Sequence, residues 1–347
     1  MNHLTRRRIG QTDLHVPILG CGGATLGDAE GAIPEPVALA TLESAYAAAI
    51  DYFDTSPWYG NGKSELRFGA VLRSKPRASY LLSTKVGRTY ARSTAPDHPA
   101  QLRWRGGLPF NPTFDYTRAG ILRSYEQSLT RLGISSVDAL LIHDLDEGHQ
   151  GSNEAVERRL GELAKGGGFE ALAALKASGE IRAIGAGVNR VGMIPKFLAR
   201  FQIDFFLVAM PYTLVNQDAL GEELPLCQSR GVSVVIGAPF ASGILASGPV
   251  PGATYGYKPA TDETIDKVRA LKAICERHRI PLGAVALQFP LAHPAVVSVI
   301  PGPNSPEQVR TNLQWINTPI PAALWAELKG TGLIRTDAPV PTGDGAA

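Results

Sequence analysis

The feature that most constrains this chain is a serial alternation: a short apolar, β-favouring run followed by a longer run with helical spacing, repeated eight times. The apolar runs cover residues 18–24, 52–55, 80–85, 137–143, 181–187, 204–210, 232–236 and 296–300. They are apolar along most of their length, as strands covered on both faces of a parallel sheet must be. The helical runs fall at 34–50, 64–73, 117–132, 169–177, 192–200, 218–230, 262–278 and 306–315. Eight strand–helix units in series, with no shift in composition to mark a linker, predict an α/β chain folded as a (β/α)8 TIM barrel. A doubly wound open sheet is the alternative, and it would need a nucleotide fingerprint directly after a strand. The sole G-x-G-x-x-G/A match, Gly166 to Ala171, follows the polar stretch 156–165 and reads as a helix start.

Length agrees with this organisation. A chain of 347 residues fits one barrel domain over 1–335, with a loop insertion of about 88–116 after the third strand and a flexible Pro-, Gly- and Ala-rich tail over 336–347. Thirty-four basic against 32 acidic residues leave a net charge of +2, too weak a field to argue for nucleic acid or an anionic membrane. Cys21, Cys227 and Cys275 are scattered without CxxC spacing, so neither a disulfide framework nor a zinc site is expected. No secretory leader pattern and no membrane-length apolar run is present, and the expectation is a cytoplasmic protein whose partner is a small-molecule substrate.

In such a barrel the chemistry sits at the C-terminal ends of the strands. Three apolar runs end on or beside Asp54, Lys85 and His143, and Tyr59 lies in the Pro- and Gly-marked turn beyond the second. A tyrosine of ordinary pKa, about 10, is a poor proton shuttle near neutrality, and lowering it by two to three units takes roughly 3–4 kcal/mol. One ammonium about 4 Å away at an effective dielectric near 20 supplies about that much. Lys85 is therefore the natural tuner of Tyr59, Asp54 the counter-charge that holds the ammonium, and His143 a group to orient the reacting oxygen. Taken singly, each residue also suits a turn or a solvated strand end; together at successive strand ends they suggest one catalytic site. Trp58 and Trp104 are candidate substrate faces, since sugars and flat heterocycles both pack on indole. For Trp104, packing of the insertion onto the barrel is the competing reading.

The segments 53–60 (FDTSPWYG), 83–87 (STKVG), 141–143 (LIH) and 184–189 (IGAGVN) resemble, in order and across nearly the whole chain, the signatures of the aldo-keto reductases. The resemblance implies Tyr59 as general acid/base, Lys85 and Asp54 as its tuning pair, His143 as the orienting group, and a nicotinamide coenzyme extended across the barrel mouth. The insertion's 104–110 (WRGGLPF) and 143–146 (HDLD) look like the branch of dehydrogenases acting on free aldoses, such as L-fucose and D-threo-aldoses, and on pyridoxal. Such enzymes oxidise a cyclic hemiacetal to a lactone. Coenzyme contacts implied by the resemblance are Gly22, Gly23, Asp54, Asn189, Phe240, Ser242, Gly243, Leu245, Pro301, Gly302, Gln308 and Asn312. Family members that prefer NADPH often carry Lys after Ile-Pro and Arg six positions on; here those positions are Gly302 and Gln308. NAD is therefore favoured, with NADP possible through Arg310. The sequence departs from the family pattern at Val188, where a serine is usual, and at 207–212, where the usual glutamine has no equivalent. The same residues would also serve an NADPH-dependent carbonyl reductase, and a cofactor-sensing subunit is a third possibility.

Overall fold

A computed structural model describes residues 1–29, 31–93, 104, 106–256 and 258–342. Eight parallel strands form one sheet: β1 (Cys21–Gly22), β2 (Tyr52–Asp54), β3 (Leu81–Val86), β4 (Ala139–His143), β5 (Ala183–Val188), β6 (Phe205–Ala209), β7 (Ser233–Gly237) and β8 (Val296–Ile300). They neighbour one another in chain order, and the sheet closes where Leu19 bridges Val299 in parallel. At that seam Gly20 N–H donates to Val299 O at 2.9 Å and Gly22 N–H to Pro301 O at 2.8 Å. The predicted (β/α)8 barrel is the observed fold.

The two-residue period of the strands sorts their side chains into layers. Tyr52, Ala139, Leu141, Ala183, Phe205, Leu207, Val235 and Val297 fill the barrel interior. The alternate residues, among them Phe53, Leu82, Leu140, Ile142, Ile184, Phe206, Val208 and Ile236, pack outward against the helices. Continuing the inward parity to the strand ends brings Asp54, Lys85 and His143 to the rim of the interior. Below, an antiparallel hairpin of Arg6–Arg8 and His15–Pro17 inserts Ile9, Leu14 and Val16 into the same inner cluster and floors the barrel.

Several segments differ from the sequence reading. The polar stretch after His143 holds two helices, Glu147–Gln150 and Asn153–Lys165, whose N-termini are capped by Asp146 and Ser152. Asn153–Lys165 buries only Ala155, Val156, Leu160 and Leu163, too narrow a stripe to stand out in so polar a run. The insertion is not simply a loop: Arg88–Arg92 pairs antiparallel with Phe110–Phe114. Its residues 94–103 and 105 lie outside the described residues. Further helices occupy Leu282–Gln288 and Ala322–Gly330. Of the expected flexible tail, Ala338 is fully buried and Val340 packs on the core, so its first part is seated on the barrel; residues 343–347 lie outside the described residues. No helix among the described residues is long and apolar enough to cross a membrane.

Candidate active site

Asp54 and Lys85 meet at the rim with 2% and 1% of their surface exposed. Lys85 Nζ donates to Asp54 Oδ2 at 2.6 Å and to Thr55 O at 2.8 Å, while Ser83 Oγ donates to Asp54 Oδ1 at 2.7 Å. Both carboxylate oxygens are satisfied, which is what a dry ion pair requires. The ammonium sits 4.8 Å from the centroid of the Tyr59 ring. The His143 and Tyr59 rings lie nearly perpendicular, 6.0 Å apart between centroids.

Tyr59 is held by a turn that only a special backbone allows. Gly60, Asn61 and Gly62 follow it with φ of 65°, 53° and 100°. Gly60 lies so close to Gly27 that a Cβ would come 2.8 Å from the Gly27 carbonyl oxygen, so left-handed backbone and close approach both demand glycine. The return arm of the insertion clamps this turn. Leu108 N–H donates to Gly60 O at 2.9 Å, Asn61 Nδ2 to Leu108 O at 3.2 Å, and Lys63 Nζ bridges Gly106 O and the buried Asp28.

His143 is a buried neutral imidazole: burial pushes its pKa well below the ordinary value, and Lys85 and Arg88 reinforce this against the pull of Asp144. Asp144 continues the chain in a left-handed conformation, φ 52°, and its pKa is depressed: burial works against this, and the Arg88 guanidinium favours the carboxylate by both its charge and its hydrogen bond. Asp146 is likewise lowered, chiefly by its hydrogen bond from His149 against the cost of burial. Ligand-capable atoms of Asp144, Asp146 and His149 come within 4.8 Å of one another. Arg88 and Asn189 already bond these carboxylates, so the cluster is internally compensated.

These side chains line one wall of a cavity of about 1210 Å³ at the barrel mouth. That exceeds the roughly 300–1,000 Å³ typical of a site for one small molecule. Of the anticipated coenzyme residues, Gly22, Gly23, Asp54, Asn189, Phe240, Ser242, Gly243, Pro301, Gly302, Gln308 and Asn312 all line it. Leu245 does not: helical periodicity turns it into the core, where it is fully buried. Trp58 lines the cavity, but Trp104 is 1% exposed and packs behind it, at 5.7 Å from Trp58 and 5.9 Å from Tyr59 between centroids. Its large apolar surface is better covered under the turn than at a wet mouth, so Trp104 supports the site without facing it. Phe240 meets Trp315 edge-on at 5.6 Å on the far wall.

The sequence reading missed Arg88 and His149. Arg88 follows Gly87 just past β3, and its guanidinium lies 4.5 Å from the Trp58 ring and 4.3 Å from Phe114. Its only sequence signal was an arginine immediately after a strand-end glycine. His149 sits on the helix that had read as polar loop.

The donor set suits a dinucleotide. A Cβ at Gly243 would meet no atom within 4 Å, so the backbone there lies open to the cavity. Neutral amides stand at Asn189, Gln308 and Asn312, and a tyrosine with a lysine ammonium over its ring stands at the inner end. A barrel carrying this arrangement is a nicotinamide-dependent oxidoreductase. Residues 18–332 match the aldo/keto reductase family, and the chain belongs to that family. Pyridoxal 4-dehydrogenase of Microbacterium luteolum is 39% identical over 337 residues, covering 95% of this chain and 98% of that protein. D-threo-aldose 1-dehydrogenase of a Pseudomonas species is 36% identical over 334 residues, covering 93% and 96%. The holo form of aldo-keto reductase AKR11C1 from Bacillus halodurans matches with a TM-score of 0.73 at 27% identity, over 97% of this chain and 98% of that one.

Proposed function

We propose that this enzyme oxidises a cyclic hemiacetal, either a free aldose of the L-fucose or D-threo-aldose type or a pyridoxal-like compound, to the lactone, with NAD as acceptor. The observation that carries this reading is the buried Asp54–Lys85 pair against the Tyr59 ring, with neutral His143 beside the same ring. The nicotinamide, when bound, accepts the hydride that leaves the anomeric carbon. Tyr59 takes the proton of the anomeric hydroxyl. Lys85, itself buried, stabilises negative charge on the Tyr59 oxygen. Asp54 fixes the ammonium, and His143 donates a hydrogen bond to the oxygen that becomes the lactone carbonyl. The two dehydrogenases named above, similar over nearly their full lengths, support the substrate class.

NAD is favoured by the β8 end of the cavity. There Pro301, Gly302, Asn304, Gln308, Thr311 and Asn312 form the lining, with no Lys or Arg among them to hold a 2'-phosphate. Gln308 Oε1 accepts from Asn304 N–H at 2.9 Å, and Arg310 is exposed and outside the lining.

The test is a panel of free aldoses and pyridoxal, with NAD and NADP in parallel, followed at the absorbance of the reduced coenzyme. Reduction of NAD is expected, and Tyr59→Phe should lower kcat by about 10²–10⁴-fold while NAD still binds. Failure of every sugar and of pyridoxal to reduce either coenzyme would overturn the reading.

A further inference from the structure

The surroundings of His143 specify more than its burial. Its Nδ1 faces Arg88 Nη1 at 3.4 Å and Ser56 Oγ at 3.2 Å. A guanidinium has only donors, and Ser56 Oγ already accepts from Trp58 N–H at 3.1 Å, leaving its own hydrogen for the ring. Arg88 therefore requires Nδ1 to accept, and the Ser56 hydroxyl can donate to it as well. Nε2 lies 3.4 Å from Asp144 Oδ1, a charge contact and not a hydrogen bond; the carboxylate favours a hydrogen on Nε2 and leaves that hydrogen for a bound oxygen.

We propose that Arg88 and Asp144 are positioning residues that hold His143 in one form, the neutral ring with its hydrogen on Nε2. Arg88 Nη1 bonds Asp144 Oδ2 at 2.7 Å, so one buried ion pair, each partner no more than 5% exposed, spans both nitrogens of the imidazole. The left-handed backbone at Asp144 folds the carboxylate back beside the ring that precedes it. Arg88 in turn lies between Trp58 and Phe114, so the insertion hairpin sets the guanidinium that faces Nδ1. Asn189 Nδ2 at 3.2 Å from Asp144 Oδ1 and Tyr116 Oη donating to His143 O at 2.6 Å complete the frame.

The charges around the ring are balanced. Lys85 on β3, Arg88 on the hairpin and His149 on the helix Glu147–Gln150 oppose a positive imidazole, whereas Asp144 favours one. The Asp54 carboxylate is neutralised by Lys85, Asp146 is bonded by His149, and Tyr59 meets the ring by its edge. Arg88 is the member that both cancels Asp144 and dictates the tautomer.

This inference builds on the reading of His143 as donor to the substrate oxygen, and its first test needs no substrate. In full-length protein labelled with 15N-histidine, the His143 nitrogens are assigned by their loss in His143→Gln. The wild type should show a hydrogen on Nε2 and remain neutral as pH falls through about 6.5, where a free imidazole titrates. Arg88→Met removes the cation and the donor at Nδ1 and leaves Asp144 unpaired. His143 should then titrate at least about one pH unit higher than in the wild type. Arg88→Lys keeps the charge without the fork and should show a mixture of tautomers with little change in midpoint. With a turned-over substrate in hand, Arg88→Met should also add an acid limb to the kcat/KM profile that Arg88→Lys lacks. A wild-type ring with its hydrogen on Nδ1, or an unchanged spectrum and titration in Arg88→Met, overturns the proposal. Where Arg88→Met does not fold, a wild-type spectrum in Arg88→Lys overturns it.

Discussion

Along β2, β3 and β4 the cavity wall carries Asp54 with Lys85, Asp144 backed by Arg88, and Asp146 with His149, all in hydrogen-bonding contact and all but His149 nearly free of solvent. Along β7, β8 and the helix Pro306–Asn317 the wall is made of glycines, small polar groups, neutral amides and the Phe240–Trp315 edge contact. A wall that stabilises charge developing during reaction needs fixed dipoles and ions in a dry setting, where each is strong. A wall that holds a ligand of constant charge can rely on close backbone approach and amides. On the function proposed above, the difference assigns chemistry to the first wall and recognition to the second.

The sharpest way to break this division is to remove one charge from the first wall. Lys85→Met leaves the Asp54 carboxylate buried without its partner, and urea denaturation should show about 3–5 kcal/mol of lost stability together with loss of turnover. Wild-type stability would show that the pair is solvated, contrary to its burial. The next effect is pH-dependent. His143 is neutral in the folded enzyme with its pKa lowered by burial, and His293 is lowered by the same cause. The unfolded chain therefore binds more protons, and stability should fall as pH drops below about 6.5, before the carboxylates titrate. In His143→Gln the urea midpoint should fall less steeply over that window; an equal slope would count against the neutral ring.

Changes on the second wall should be smaller and should alter coenzyme choice alone. Gln308→Arg introduces a cation at the β8 end, and fluorescence titration should show NADP binding tightened about tenfold relative to NAD. Arg310→Ala should move that ratio by no more than about twofold, as expected of an exposed residue outside the cavity. A larger effect would bring Arg310 into the site.

The first wall was the more legible in the sequence, for a physical reason. Asp54, Lys85 and His143 end apolar strands of alternating parity, so their burial and convergence follow from the strand period and barrel closure. Tyr59 was legible because glycines and a proline bracket its turn. Arg88 and His149 were not, since their roles depend on a hairpin register and on a short helix with little apolar periodicity. Trp104 shows the opposite failure. Its residue type suggested a substrate face, and only tertiary packing places it behind Trp58 and Tyr59. Leu245 failed by a single step along a helical turn, which redirects a side chain from cavity to core.

The hairpin that seats Ile9, Leu14 and Val16 beneath the strands has one more effect. Those apolar side chains, packed from the floor upward, lie between the lower face of the barrel and the Lys85–Asp54 pair. In the mechanism proposed above, the proton taken by Tyr59 then leaves by the mouth through which substrate enters, so its release shares a route with ligand exchange.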